Sequence, residues 1–435
     1  MKHKHYFWML ALLLLVFTAA CSGGGDDQAS GGNDDGGSDG EGSATGKVEL
    51  FSWWTAGGEA EGLEAIIEQF KEEHPDIEVE NAAVAGGAGS NAKAVLANRM
   101  QGGEPPSTFQ VHGGDELLAG WVAADKMEPI NDLYEENNWQ DVFPQDLIDM
   151  VSKDGNQYAV PVNIHRGNVM FYNTSVFEEN GLKAPTSWEE FLEVAETLQS
   201  KDITPLALGD KNVWPSTMIF ESILLANLGA EDYDKLWNGE IGFDDERVVQ
   251  SAETFKEVLA YVNEDHSARA WQDASQLVAD GKAAINIMGD WANGYYQSKE
   301  LKAEEDYGWA VTPGSEGTFM VITDTFGLPK GVENPDQVKE FLATLGSKEA
   351  QDTFNPIKGS IPARTDADSS KYGPYSTDTI KDFSEAALAP SLAHGSAAPE
   401  QVVTKVNQAV NVFVSQQEVD AFIQSLQDAT SSLSE

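Results

Sequence analysis

Two spacings of apolar residues alternate along this chain. From Glu61, the apolar positions Leu63, Ile66, Ile67 and Phe70 fall at i, i+3, i+4 and i+7, one face of a helix. Pro75 ends that helix, an extended stretch at 48–52 precedes it, and another at 77–79 follows. After the loop Gly86-Gly87-Ala88-Gly89 the pattern predicts a helix at 91–100, and after Pro105-Pro106 a strand at 108–111. Further on, Thr186 and Glu189 have the spacing of a capping box ahead of the stripe Trp188, Phe191, Leu192, Ala195 and Leu198. A buried-type strand at 283–288 runs into Gly289-Asp290-Trp291, 311–312 and 318–328 read as extended, and 401–426 reads as one helix. Strands alternating with helices imply an α/β layer with a largely parallel sheet. No repeat of 20–50 residues is visible.

In open α/β sheets a ligand sits at the carboxyl ends of the strands. The strand ends here carry Trp53-Trp54, then Gln110 and His112, then Asp290-Trp291. Neighbours on a strand point to opposite faces, so Trp53 and Trp54 cannot both enter one core. Gathered at one crevice, these groups suit a sugar, whose C–H faces lie on aromatic rings and whose hydroxyls need directional partners. The remaining histidines are scattered without metal-ligand spacing.

The start of the chain has a different character. Lys2 and Lys4 precede an apolar run from Tyr6 to Ala20, shorter than the ~20 residues that span a bilayer. Residues 1–20 therefore read as a secretory signal. Thr18-Ala19-Ala20-Cys21-Ser22 resembles the bacterial lipoprotein processing box, in which the cysteine is lipidated. Residues 22–46 hold ten glycines, six acids and no apolar side chain larger than alanine. Such a segment cannot repay its ordering entropy, so 21–46 reads as a lipidated Cys21 followed by a flexible acidic tether.

Composition narrows the functions open to the body. The 435 residues carry 72 Asp plus Glu against 27 Lys plus Arg, a formal charge of −45. That balance excludes binding to a nucleic-acid backbone and docking on anionic lipid by a basic patch. The single cysteine excludes an internal disulfide framework and a Cys-cluster zinc site. The spread of acids over the whole body suggests a surface adapted to high salt, where repulsion is screened within ~3 Å at 1 M.

The segments VELFSWWTAGGEAEGLEAIIEQF, PPSTFQVHGGDELLAGWV, ADGKAAINIMGDWANGYY and NPIKGSIPARTDA together resemble the sugar-binding lipoproteins of bacterial ABC importers. The likeness runs from about residue 47 to the C-terminus. FSWWTAGGE, FQVH and the later His394 resemble the glucose/mannose-binding subgroup within that family. The resemblance implies an α/β, two-lobed periplasmic-binding-protein fold, type II-like, with hinge crossovers and an interlobe ligand cleft. Crossovers would lie at 163–167, 312–317 and 356–364. One lobe would comprise 47–164 and 314–358, the other 165–313 and 359–435.

By the same resemblance Trp53, Trp54 and Glu59 line the first lobe's side of the site. Gln110 and His112 bond sugar hydroxyls, Trp271 and Trp291 supply stacking surfaces, and Asp324, Lys358 and His394 complete a polar ring. Asp290 either bonds the sugar or caps the helix that follows. The implied function is non-catalytic: an extracytoplasmic, lipid-anchored monomer captures a glucose- or mannose-like monosaccharide, without cofactor or metal, and delivers it to a membrane permease. A disaccharide or other polyol is an alternative ligand. Acid pairs such as Asp244-Asp245 leave a secreted glycoside hydrolase as a reading of another class. A surface adhesion or sensor protein is a third.

Overall fold

The computed structural model describes residues 46–86 and 89–433. The signal stretch, Cys21 and the tether lie outside the described residues. Strand Gly46–Phe51 runs parallel between Ile77–Asn81 and Thr108–His112. Asp324–Pro329 lies antiparallel beside Thr108–His112, with Ala159–Pro161 and Met127–Glu128 paired to it in turn. Helix Gly57–Glu73 covers this sheet with the predicted face: Leu63, Ile66, Ile67 and Phe70 are all buried. Helices Pro335–Leu345 and Lys348–Lys358 pack beside it.

A second sheet is ordered Thr204–Leu206, Ala283–Ile287, Val169–Asn173, Tyr307–Val311. Its own core includes Phe191, Phe220, Phe255 and Phe413. Three short strands, Ala387–Pro390, Thr318–Ile322 and His165–Arg166, form a third sheet through which the chain passes between the two bodies. Ile164 and Ile361 add an antiparallel bridge there. The result is the two-lobed α/β fold of periplasmic binding proteins.

The structure departs from the sequence pattern in five places. Trp53 and Trp54, expected not to share a core, are both buried in one cluster, because the strand ends at Phe51 and its alternation no longer holds for them. Both main sheets are mixed rather than largely parallel, because Asp324–Pro329 and Val169–Asn173 each return from a crossover and run against their neighbours. The cap at the helix Trp188–Gln199 is shifted by one residue. The Ser187 hydroxyl accepts the Glu190 N–H at 3.2 Å, and Thr186 donates its N–H and hydroxyl to the Glu190 carboxylate. The C-terminal helix is two helices, Glu400–Gln416 and Val419–Thr430. Gln417 turns left-handed (φ 57°) between them, which lets Phe413 stack on Phe422 at 4.3 Å. Finally, the long helix Trp214–Trp237, kinked at Gly229, has no counterpart in the periodicity read above.

Candidate functional site

The first strand runs directly into Trp53-Trp54, and the helix after it presents Glu59 from its first turn. His112 ends one strand of the same sheet, Asp324 begins another, and Lys358 ends the helix Lys348–Lys358. From the other body, Trp214, Trp271 and Trp291 are each the first residue of their helix. Side chains on a helix lean toward its N-terminus, so an indole at the first position projects beyond the helix end. Three such ends meet the first body across a cavity of about 560 Å³, mouth included. His394, in the turn after Ala387–Pro390, lines it as well.

An unbroken row of rings crosses the cleft. Trp53 lies 5.1 Å from His112, His112 lies 5.4 Å from His394, and His394 lies 5.0 Å from Trp291. Trp214 and Trp271 approach Trp291 at 5.9 and 6.5 Å. Two glycines make room for these rings. A Cβ on Gly89, itself at φ +74°, would lie 2.8 Å from the Trp53 ring, and one on Gly289 would lie 2.2 Å from the Trp291 ring. The glycine-rich loop thus gives close backbone approach, as its composition suggests.

Polar groups fill the floor. Asp324 is 3% exposed and accepts from Gln110 Nε2 and from Asn163 Nδ2, each at 2.7 Å. Its second oxygen lies 3.3 Å from His165 Nε2. Burial alone would raise this carboxyl, but His165, Lys358 and His112 together hold it far below the usual carboxylate range. Burial and Lys358 oppose a charge on His165, yet the facing Asp290 and Asp324 raise its pKa. Lys358 donates to Glu59 at 2.8 Å and sits 5.5 Å from the Trp54 ring centroid. His112 Nδ1 is 2.7 Å from the Glu116 carboxylate, which Lys93 holds in turn at 2.8 Å. Burial and the nearby His112 and Lys93 push the pKa of His394 well down, so this ring is neutral. The floor therefore offers carboxylates, an ammonium and imidazoles side by side, a mixture matched to a neutral ligand rich in hydroxyls.

Most residues predicted from sequence meet here: Trp53, Trp54, Glu59, His112, Trp271, Trp291, Asp324, Lys358 and His394 all line the cavity. Gln110 and Asp290 stand behind the wall. Gln110 accepts the Trp53 N–H at 3.1 Å and donates to Asp324, so it braces two lining residues. Asp290 is fully buried, hydrogen-bonds His165 Nδ1, and accepts the Arg166 N–H at 3.1 Å. Its side chain makes no cap bond to the helix Trp291–Ser298, so the capping role expected for it is not the one it has.

Sequence reasoning missed Trp214, His165 and Gln272, which also line the cavity. Trp214 followed by Pro215 repeats the aromatic helix start of Trp271 and Trp291, a signal present in the sequence. Nothing local marks His165; only the third sheet brings it in. Among the described residues no group of three or more His, Cys, Asp or Glu gathers that could hold a metal. No helix among them is long and apolar enough to cross a membrane.

Two mixed sheets facing each other across an aromatic and polar cleft define a two-lobed solute receptor. The bacterial extracellular solute-binding protein family matches residues 56–352, and the chain belongs to that family. It is 40% identical over 378 residues to an uncharacterized ABC transporter extracellular-binding protein of Pyrococcus horikoshii, covering 86% of this chain and 85% of that one. It is 30% identical over 364 residues to the xylose/arabinose-binding protein XacG of Haloferax volcanii, covering 82% and 78%. The solved structure of the bacterial solute receptor AcbH, which prefers β-D-galactopyranose, matches with a TM-score of 0.80 at 22% identity, over 89% of this chain and 98% of that one. That last likeness is one of fold.

Proposed function

We propose that this protein is the sugar-binding subunit of an ABC importer, and that it captures a glucose- or mannose-like monosaccharide between its lobes. The observation that carries this reading is the row of rings around a cavity whose floor balances carboxylates against Lys358 and imidazoles. Trp271 and Trp291 stack on the sugar's C–H faces, and Asp324, Lys358, His112 and His394 bond its hydroxyls. Gln110 and Asp290 act from behind by holding Asp324 and His165. The Haloferax relative is named for xylose and arabinose, which is consistent with a single ring as ligand.

Lobe 1 takes in 47–164 and 314–358, and lobe 2 takes in 165–313 and 359–435, with ligand contacts favouring the arrangement in which both touch the sugar. A monomer tethered through a lipid on Cys21 hands the sugar to a permease whose partner subunits hydrolyse ATP. Calorimetry of folded protein with glucose, mannose, galactose, xylose and disaccharides tests the proposal. Heat from a hexose and none from a disaccharide is the expected result. The reverse order would move the assignment to a larger ligand, and silence throughout would remove it.

A further inference from the structure

Glu221 lies inside the helix Trp214–Trp237, fully buried, and does not line the cleft. Its carboxylate faces the turn that carries His394. One oxygen, Oε2, accepts the backbone N–H of Leu392 at 2.7 Å and of Ala393 at 3.1 Å, and the Tyr233 hydroxyl stands 3.2 Å away. The other, Oε1, accepts the Ser391 hydroxyl at 2.9 Å. Ser391 Oγ lies 3.1 Å from His394 Nδ1.

A hydroxyl has one proton to give. Above about pH 7 the Glu221 carboxyl is ionised and can only accept, so the Ser391 proton goes to Glu221. The oxygen of Ser391 then meets His394 as an acceptor. A neutral imidazole facing an acceptor at Nδ1 carries its proton there, and its Nε2 is left with a lone pair. Among the described residues Nε2 has no protein partner, and the ring lines the cavity.

We propose that Glu221, acting through Ser391, sets the tautomer of His394 and so makes its Nε2 a hydrogen-bond acceptor for one hydroxyl of the bound sugar. Glu221 is thus a positioning residue for ligand selection: the receptor requires a donating O–H at one ring position and discriminates against an analogue bearing fluorine or a methoxy group there. The inference rests on the proposed role of His394 in sugar binding.

The relay is tested in the free protein by ¹⁵N spectra of the histidine rings, with His394→Asn identifying the His394 signals. Spectra are taken well above neutral pH, since burial pushes the Glu221 carboxyl up to about 7. The expected result is the Nδ1–H form in the native protein and a shift toward Nε2–H in Ser391→Ala, a change of one hydroxyl. Glu221→Gln should act in the same direction if it folds; Ser391→Ala keeps the test available if it does not. In calorimetry at the same pH, Ser391→Ala and His394→Ala should each weaken sugar binding roughly tenfold. The double variant should bind no more weakly than His394→Ala alone, because both remove one interaction. A residue that merely supported the fold would instead add its loss to that of His394.

An Nε2–H ring in the native protein overturns the proposal. So does unchanged affinity in Ser391→Ala beside a weakened His394→Ala, a result that leaves the sugar reading standing. Native affinity in His394→Ala overturns both the inference and the role of His394 on which it rests.

Discussion

An indole that opens a helix has its backbone fixed by that helix and its ring free to meet a ligand. Trp291 shows what the arrangement demands of its neighbours: Gly289 leaves space for its ring, and His394 and His165 pack at 5.0 and 5.3 Å. Trp291→Ala and His394→Ala should therefore weaken sugar binding by about tenfold or more while leaving most of the stability, corresponding to a loss of ~1–3 kcal/mol. Equal loss of fold in both, read by thermal melting, would instead make them core residues. Gly289→Ala should have a similar effect without touching the ligand, because the added methyl meets the ring that stacks on it. Calorimetry showing native affinity in that variant would mean the ring has another place to go. At this scale the strand-end rule places Trp53, Trp54, His112 and Trp291 near the cavity, since each ends a recognisable strand or follows it within a few residues. It misplaces Gln110 and Asp290 by one layer. Position along a strand fixes which end a residue is near, but not whether its side chain reaches the cavity or the groups behind it. Only the bonds to Asp324 and His165 separate those cases.

The predicted amphipathic helix Gly57–Glu73 is found with the expected buried face, because a stripe at i, i+3, i+4 and i+7 has one way to meet a sheet. The helix Trp214–Trp237 escapes the pattern because residues 214–225 are buried all round, Ser216, Thr217, Glu221 and Ser222 included, leaving no exposed face there to mark a period. Its buried Glu221 has a measurable consequence. Burial raises that carboxyl to about 7, and hydrogen bonds from Ala393, Ser391 and Leu392 only partly offset the shift. The folded chain keeps a proton there that the unfolded chain, with an ordinary carboxyl near ~4.3, releases. Stability from this group is thus fully present below about pH 4 and is lost as pH rises through about 7, by on the order of 3 kcal/mol. Denaturant melts across this range should fall more steeply for the native protein than for Glu221→Gln. Parallel curves would mean that the site binds no extra proton. Asp324 acts with the opposite sign. Its lowered carboxyl stabilises the fold at neutral pH and gives up that contribution only in strong acid.

For the whole molecule, the alternation of strands and helices reveals the α/β class, while the mixed direction of both sheets stays hidden. Sheet direction depends on where the chain recrosses; the crossing strand His165–Arg166 is too short to show a pattern of its own, and an extended stretch such as 318–328 carries no mark of its direction. The charge of −45 is a property of the same scale. Repulsion summed over so many acids opposes compaction, and salt screens it, so the melting temperature should rise between low salt and about 1 M NaCl. A flat or falling curve would leave the acidity without a role in stability.

Five tryptophans, Trp53, Trp54, Trp214, Trp271 and Trp291, border one cavity, while others such as Trp139 and Trp237 are buried away from it. Any guest that fills the hollow comes against several of these rings at once. The molecule is in that respect its own optical gauge: ultraviolet emission should change in colour and intensity on occupancy, reporting the filled fraction without an attached dye.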